Sequence, residues 1–306
     1  MGEKKNKAKA EINEIKKTVE SKTQKSVVVP EYLTASSRFK FRCYPGIGCF
    51  TKCCSGIRII LSPYDIFRLK NRLGKSCLEF LNDYTIPMTI EGSSLQTVGL
   101  KMKDDEIRSC PFVTAEGCTV YTDRPLTCRY YPIGMGMMKK DTGKTGEDFF
   151  IKVKEDHCLG HNEETVWTIK EWRQDQESDL YDEMNNDWMA IVLKAKTLGR
   201  VEFSQRSLEL FYIVSTNLDL FRDMAFSPRF IAAYQLDPET LKTLAEDELE
   251  LLKFSLKWLR FVTFDEGDFK VDQEARKKAK EKLISQAEEE RKRQREEAID
   301  ALDGQD

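Results

Sequence analysis

Apolar residues recur at helical spacing soon after the first cysteines of the chain. One stripe contains Ile66, Leu69 and Leu73. Ser62 and Pro63 precede this stripe as an N-cap and a first helical residue, and Gly74 follows it as a C-terminal stop. We therefore predict a helix between Ser62 and Gly74, and a second short helix over residues 78–84 that ends before Pro87.

Period-two alternation predicts strands over residues 95–102 and 149–153. After about residue 165 the pattern becomes helical, with a capping box formed by Thr168 and Glu171 and a helix start at Asp237-Pro238. The predicted buried stripes are Leu180, Met184, Trp188 and Ile191; Phe211, Val214, Leu218 and Phe221; and Ala245, Leu249, Leu252, Leu256 and Leu259. These stripes are typical of helix cores.

The two ends of the chain are highly charged. We expect residues 1–30 to form a flexible lead and residues 265–306 a solvated helical tail, because neither end offers a broad apolar face. Between them we predict a cysteine-cluster metal-binding domain over 31–165 and a helical region over 166–264. The predicted fold class is α+β: a cysteine-rich domain of short helices and strands, a mainly helical region, and a long charged C-terminal helix.

The composition limits the classes of partner. Hydrophobic residues make up 40% of the chain, enough for one or two cores, and 49 basic residues nearly balance 52 acidic ones. Nothing in this balance indicates nucleic-acid binding. The longest apolar stretches are far below the roughly 18 residues of a membrane span. We therefore expect a cytoplasmic protein with no membrane and no nucleic-acid partner; an unknown protein partner stays open.

Nine cysteines in a chain without a signal-peptide pattern indicate metal or redox chemistry rather than disulfides. Four of them form the leading cluster: Cys43, Cys49, Cys53 and Cys54. Pro45, Gly46 and Gly48 interrupt this cluster, which predicts a loop that folds back on itself. Thiolates are soft ligands suited to zinc and to iron–sulfur centres. Neighbouring side chains on an extended backbone point to opposite sides, so Cys53 and Cys54 are candidates for different sites.

Four further cysteines lie downstream in turn-rich segments: Cys110, Cys118, Cys128 and Cys158. The eight thiols suit two four-coordinate sites, two cubane clusters, or one site with additional non-ligand cysteines. The uneven spacing favours an iron–sulfur cluster slightly over zinc. Cys77 has no nearby partner in the sequence and is predicted to be a packing residue. His157 and His161 flank Cys158 as open ligand candidates, and we expect Arg124 and Arg129 near the thiolates as compensating charges.

These motifs resemble the YkgJ-type cysteine-cluster family of zinc- or iron-chelating domains, whose relatives include flagellin lysine N-methylase. The resemblance is strong over residues 40–135 and weaker to about 195. Beyond the leading cysteines, the matching segments are Ile60–Ile66, Arg68-Leu69, Leu73-Gly74, Cys110–Phe112, Cys118–Tyr121, Arg124-Pro125 and Cys128–Pro132. The resemblance implies metal ligation by Cys43, Cys49, Cys53, Cys54, Cys110, Cys118, Cys128 and Cys158, and it implies no catalytic residue.

Two classes of function follow. The first is a metal-binding cysteine-cluster protein that holds an iron–sulfur cluster or zinc, with a role in redox chemistry, sensing or assembly, or with a purely structural metal. The second is a protein-lysine methyltransferase-like enzyme, which only the flagellin methylase relatives suggest. The sequence has no Gly-x-Gly-x-x-Gly fingerprint after a predicted strand, and this weakens the second class. Whether the protein is an enzyme stays open.

Overall fold

The computed structural model describes residues 27–137, 148–198 and 203–271. The fold is α+β, as predicted, with helices and small antiparallel sheets. The chain divides into two compact units, one up to Leu218 and one from Asp219. No described helix is long and apolar enough to cross a membrane.

The described strands of the first unit form four small sheets. The larger two have the orders β1-β9-β8 and β3-β5-β4, and the others are the pairs β10-β2 and β6-β7. The strands are β1 (Val27–Leu33), β2 (Arg38–Lys40), β3 (Ile60–Leu61), β4 (Thr85–Thr89), β5 (Gln96–Leu100), β6 (Val113–Thr114), β7 (Gly117–Cys118), β8 (Ile133–Met137), β9 (Asp148–Lys154) and β10 (Val166–Thr168). The two strands that alternation predicted are confirmed as β5 and β9.

Two capped helices follow the leading cysteines. Helix α1 (Pro63–Leu73) begins with a capping box in which Ser62 Oγ accepts a hydrogen bond from Asp65 N at 3.2 Å, and Gly74 ends it with φ 63°. Helix α2 (Cys77–Tyr84) begins with a second capping box, at Ser76. Both predicted helices are confirmed. Their apolar faces pack with β3 and β5 in one core that includes Ile59, Leu61, Ile66, Leu69, Phe80, Val98 and Leu100.

The helical part of the first unit begins at the predicted capping box of Thr168 and Glu171. The short helix α3 (Leu126–Tyr130) precedes this part, and the helices within it are α4 (Ile169–Asp175), α5 (Ser178–Met184), α6 (Asn186–Leu198) and α7 (Gln205–Thr216). The stripe predicted from Leu180 to Ile191 is wrong at its start, because Leu180 is exposed. Asn185 separates two helices, and in the first of them Tyr181 occupies the buried face.

The second unit consists of short helices around aromatic rings. Its helices are α8 (Leu218–Ala225), α9 (Pro228–Tyr234), α10 (Pro238–Glu246) and α11 (Glu248–Phe264). The helix start at Asp237-Pro238 is confirmed, but the predicted single stripe is broken at Asp247. The Asp247 side chain accepts hydrogen bonds from Leu249 N and Glu250 N and so begins a new helix. As a result Ala245 is exposed, whereas Leu252, Leu256 and Leu259 are buried as predicted.

The predicted lead and tail lie mostly outside the described residues. Residues 27–30 of the predicted lead belong to β1, and residues 265–271 follow α11 without regular structure. The boundary predicted near residue 165 stays a prediction, as does the helical tail.

Candidate metal centre

The leading cysteines lie in the loop between β2 and β3. Successive tight turns fold this loop, with hydrogen bonds from Phe50 N to Ile47 O at 2.8 Å and from Lys52 N to Cys49 O at 3.0 Å. Gly46 has φ 103°, a conformation that favours glycine. The loop ends in a 3-10 turn over Lys52–Cys54. The loop therefore folds back on itself, as its glycines and proline predicted.

Cys158 comes to this loop from a distant part of the sequence. It precedes a 3-10 turn over Leu159–Asn162, in which Leu159 N donates a hydrogen bond to Cys49 Sγ at 3.2 Å. Gly160 permits the approach, because a Cβ there would lie 2.7 Å from Phe41 Cε2 and 2.9 Å from Arg42 O. The turn and the loop are thus in direct backbone contact.

Burial, together with smaller contributions from charge on Cys53, Cys49 and Cys158, raises the pKa of Cys43 to about 11. These four thiols therefore lie close enough to act on one another electrostatically. We name them the loop group: Cys43, Cys49, Cys53 and Cys158.

The other four thiols pack against the apolar core beneath α1 and β5. Cys110 is a buried member of that core, and Cys54, Cys118 and Cys128 pack against it. Cys110 N donates a hydrogen bond to Cys54 O at 2.8 Å, and Val113 pairs with Cys118 across the β6-β7 hairpin. Burial raises the pKa of Cys128, to which charge on Cys110 also contributes. We name this set the core group: Cys54, Cys110, Cys118 and Cys128.

Backbone amides point at several of these sulfur atoms. Burial raises the pKa of Cys110, Cys118 and Cys158, and in each case the N–H group two residues further on opposes that rise by hydrogen bonding to the sulfur. Such N–H donors stabilise a thiolate over a thiol. Amide hydrogen bonds to sulfur are also characteristic of metal-bound thiolates.

The two groups meet at the dipeptide Cys53-Cys54. Their side chains hydrogen-bond to each other, and this bond and burial raise the pKa of Cys53. Charge on Cys53 also contributes to the raised pKa of Cys128. Across the described residues, no three Cys, His, Asp or Glu side chains stand in an arrangement that could hold a metal ion. The donor set fits zinc or iron, but the sulfur atoms must turn towards a common point to bind it.

The remaining candidates occupy different positions. Cys77 is buried at the start of α2. His157 Nε2 lies 3.4 Å from Glu155 Oε2, and the ring of His161 packs 5.3 Å from that of Phe41. His157 Nε2 and both ring nitrogens of His161 are buried with no hydrogen-bond partner among the described residues, so both histidines stay ligand candidates.

Of the two arginines expected to compensate thiolate charge, Arg124 acts on a cysteine, whereas Arg129 binds backbone carbonyl groups. Charge on Arg124 lowers the pKa of Cys118, against the larger effect of burial, which raises it. Arg129 is buried instead in a network with the carbonyl oxygens of Thr122, Arg124 and Gln176. The guanidinium of Arg129 therefore holds three chain segments together, a role that its place beside Cys128 in the sequence did not reveal.

Sequence reasoning missed Glu155. Its side chain is buried, and Tyr131 Oη donates a hydrogen bond to Glu155 Oε2 at 3.0 Å. Its charge contributes to the raised pKa of Cys53, so this carboxylate lies beside the loop group. A glutamate that directly follows a Lys-containing strand gives no sequence signal of burial.

Comparison with known proteins identifies the segment that contains all of these thiols. Residues 42–159 match the CxxCxxCC family, described as "Putative zinc- or iron-chelating domain". No curated protein and no solved structure matches the chain.

Proposed function

We propose, on the premise that residues 42–159 are a CxxCxxCC domain, that this protein holds zinc or an iron–sulfur centre through thiolates of the loop group and the core group. The observation that carries the proposal is that the four core-group thiols, from separate segments of the chain, pack against one apolar core, while the turn that follows Cys158 donates a hydrogen bond to Cys49 Sγ. Cysteines that served only as small packing residues would be expected at unrelated positions in the core rather than close to one another.

The surroundings of the sulfur atoms support metal ligation. Thiolate is the form that binds metal, and the amide N–H groups at Cys49, Cys110, Cys118 and Cys158 favour that form. Bound metal compensates for the burial that disfavours the free thiolates, because its positive charge replaces the lost hydration. In this role Leu159 N orients Cys49, and Gly160 keeps Cys158 at the loop.

A site with four thiolate ligands leaves no coordination position for a substrate. We therefore propose a structural, electron-carrying, sensing or assembly role rather than metal-assisted catalysis. Iron–sulfur is favoured over zinc because the uneven spacing of the leading cysteines departs from the paired C-x2-C turns of common zinc modules. The methyltransferase-like alternative gains no support from the comparisons.

Purification without oxygen, followed by measurement of zinc, iron and acid-labile sulfide, tests this proposal. We expect close to full occupancy by one of the two metals, with sulfide equal to iron if an iron–sulfur cluster is present. A colourless protein with full zinc occupancy and no acid-labile sulfide would show that the bound metal is zinc and not an iron–sulfur cluster. A protein that retains neither metal, and that also fails to bind added Zn²⁺, would refute the proposal.

A further inference from the structure

Asp65 is a buried carboxylate that lies in the first turn of α1, and thiolate ligation gives it no part to play. Only 1% of its surface is exposed. Burial raises its pKa to about 6, so the group is still ionised at neutral pH. An ionised carboxylate inside a protein needs hydrogen-bond donors to replace the water that it has lost. Asp65 obtains these donors from two different segments of the chain.

One oxygen of Asp65 acts within the cap of α1, and the other reaches a distant helix. Oδ2 accepts a hydrogen bond from Ser62 N at 2.9 Å, which completes the capping box. Oδ1 accepts a hydrogen bond from Leu126 N at 2.8 Å, 61 residues further along the chain. Leu126 begins α3, and Cys128 belongs to the same short helix. The carboxylate therefore joins the start of α1 to the start of the helix that carries a core-group thiol.

From this geometry we propose that Asp65 is a positioning residue for the thiol of Cys128. By holding the first turn of α3 against α1, Asp65 keeps Cys128 at the apolar core on which Cys54, Cys110 and Cys118 also pack. The inference rests on the proposed function for the purpose of this placement, but the placement itself involves protein atoms alone.

Helix α3 needs such support because it is very short. It has five residues, and a helix of this length is unstable without contacts outside it. Arg129 ties α3 to the segment between α4 and α5 through backbone carbonyl groups. Asp65 ties α3 to α1, whose Ile66 and Leu69 belong to the core on which Cys128 packs. Loss of the Asp65 contact should therefore loosen Cys128 relative to that core.

The hydrogen bonds of Asp65, rather than its charge, serve the thiol. The negative charge contributes to the raised pKa of Cys128, an effect that opposes formation of the thiolate. An amide at position 65 removes that charge and keeps one acceptor oxygen, so it can serve Ser62 N or Leu126 N but not both. Removal of charge alone would favour binding of Zn²⁺, whereas a loosened α3 would weaken it. The two explanations thus predict opposite changes for Asp65→Asn.

Helix α2 supplies a matched control for Asp65. Glu79 holds the same third position in its own capping box, where its carboxylate accepts hydrogen bonds from Ser76 N and Ser76 Oγ, both at 2.8 Å. In the part of the chain that the structure describes, this carboxylate accepts no hydrogen bond from another segment. Glu79→Gln therefore weakens a comparable cap without affecting α3.

Alkylation rates in the whole chain, reduced and free of metal, test the placement. The variants are Asp65→Asn, Asp65→Ala and Glu79→Gln, and peptide mapping measures the rates at Cys128 and at Cys77, which is buried in α2. We expect Cys128 to react about tenfold faster in Asp65→Asn, and faster still in Asp65→Ala, because Leu126 N loses its buried acceptor. Cys77 should react at the wild-type rate in both Asp65 variants, and Glu79→Gln should leave Cys128 unchanged.

The affinity for Zn²⁺, measured by competition with a chelator, gives the second readout. We expect about tenfold weaker binding by Asp65→Asn and wild-type binding by Glu79→Gln. An unchanged rate at Cys128, or equal acceleration at Cys77 and Cys128, would overturn the assignment. Tighter binding of Zn²⁺ by Asp65→Asn would also overturn it, because the charge would then be what matters.

The two readouts keep this inference distinct from the proposed function. A wild-type protein that binds no Zn²⁺ would refute the proposed function, whereas the alkylation rates would still decide whether Asp65 positions Cys128. If Asp65→Ala does not fold, the comparison of Asp65→Asn with Glu79→Gln decides the matter.

Discussion

The described part of the chain from Asp219 onward buries aromatic rings. The cysteine-bearing segment, residues 43–158, instead buries sulfur atoms and charged side chains, and several of its strands are very short. The rings are Phe221, Phe230, Tyr234, Phe254, Trp258, Phe261 and Phe269, with neighbouring centroids about 4.5–6.5 Å apart. In the cysteine-bearing segment β3, β6 and β7 have only two residues each, and Arg124, Arg129 and Glu155 are buried.

This difference shows where each unit obtains its stability. Aromatic packing in the second unit supplies a large buried apolar area, which stabilises a fold without any bound group. Two-residue strands contribute very few ladder hydrogen bonds, so the cysteine-bearing segment depends on its apolar core, its polar networks and, in our proposal, its metal. The following predictions test that contrast, from the largest expected effect to the smallest.

Removal of metal should affect the two units unequally. A structural thiolate site contributes on the order of 10 kcal/mol to folding, so chelation should expose the leading loop and the β6-β7 hairpin. Hydrogen exchange measured by mass spectrometry, before and after chelation, should show lost protection over residues 42–54 and 110–128. Peptides from α11 should keep theirs. Equal loss of protection in α11 would contradict the contrast between the units.

Trp258→Ala should have the reverse effect. The Trp258 ring packs at 5.3 Å from Phe230 and 5.6 Å from Phe221, so its truncation should destabilise the second unit by about 3–5 kcal/mol. Metal content should stay unchanged. Trp258→Phe is the matched control, because Nε1 has no hydrogen-bond partner among the described residues and a phenyl ring keeps much of the packing. Denaturant unfolding and metal analysis together check this prediction, and loss of metal from the alanine variant would count against it.

Arg129→Met tests the polar network of the first unit. The Arg129 side chain donates to three carbonyl oxygens and, at 3.0 Å, to Tyr181 Oη. Its loss leaves those buried acceptors unpaired, so we expect destabilisation by about 3–5 kcal/mol in thermal or urea unfolding. Arg72→Met is the control, because Arg72 is half exposed and lies 3.9 Å from Asp123; its replacement should cost less than about 1 kcal/mol. If the two substitutions lowered the free energy of unfolding equally, the buried hydrogen bonds of Arg129 would contribute no more to stability than the exposed ion pair of Arg72.

Gly160→Ala tests whether the close packing of residue 160 against the leading loop positions Cys158. The added methyl group would overlap Phe41 and the Arg42 carbonyl, which predicts a loss of about 1–3 kcal/mol and of metal from the loop group. Gly48→Ala is the control, since a Cβ there meets Leu159 Cδ1 at 3.4 Å, an ordinary contact. Zinc titration and thermal unfolding measure both effects. Full zinc binding by Gly160→Ala would show that this close approach does not position Cys158.

Cys77→Ser should have the smallest effect. Cys77 is buried in α2, outside both thiol groups, so serine should cost about 1 kcal/mol or less and leave metal content at the wild-type level. Metal analysis of the purified variant checks this. Loss of metal equal to that of Cys110→Ser would mean that the ligand set must include Cys77.

Local signals in the sequence were enough to predict several elements of both units. Ser62 with Gly74 predicted α1, and Thr168 with Glu171 predicted the start of α4, because a cap acts within one helical turn. The interruptions at Asn185 and Asp247 were missed, since apolar spacing continues almost in phase across a break of one residue. A stripe at helical spacing therefore does not show that a helix is continuous.

For the candidate site, the sequence indicated which residue types matter but not which of them meet. The eight thiols could be identified from their neighbours, whereas their division into two groups depends on contacts between distant segments, such as Leu159 N with Cys49 Sγ. The need for glycine at position 160 arises from Phe41, more than a hundred residues earlier in the chain. Arg129 and Glu155 are likewise buried by contacts with residues distant in the sequence, such as Gln176 and Tyr131, so their neighbours in the chain do not predict their burial.

X-ray absorption spectroscopy at the zinc or iron edge of the anaerobically purified protein tests the central claim most directly, because it reports the atoms bound to the metal. The account predicts a first shell of sulfur alone, at about 2.3 Å, with an iron–iron distance in addition if the metal is in a cluster. A first shell dominated by nitrogen or oxygen at about 2.0–2.2 Å would show that histidines or carboxylates hold the metal, and would contradict ligation by the two thiol groups.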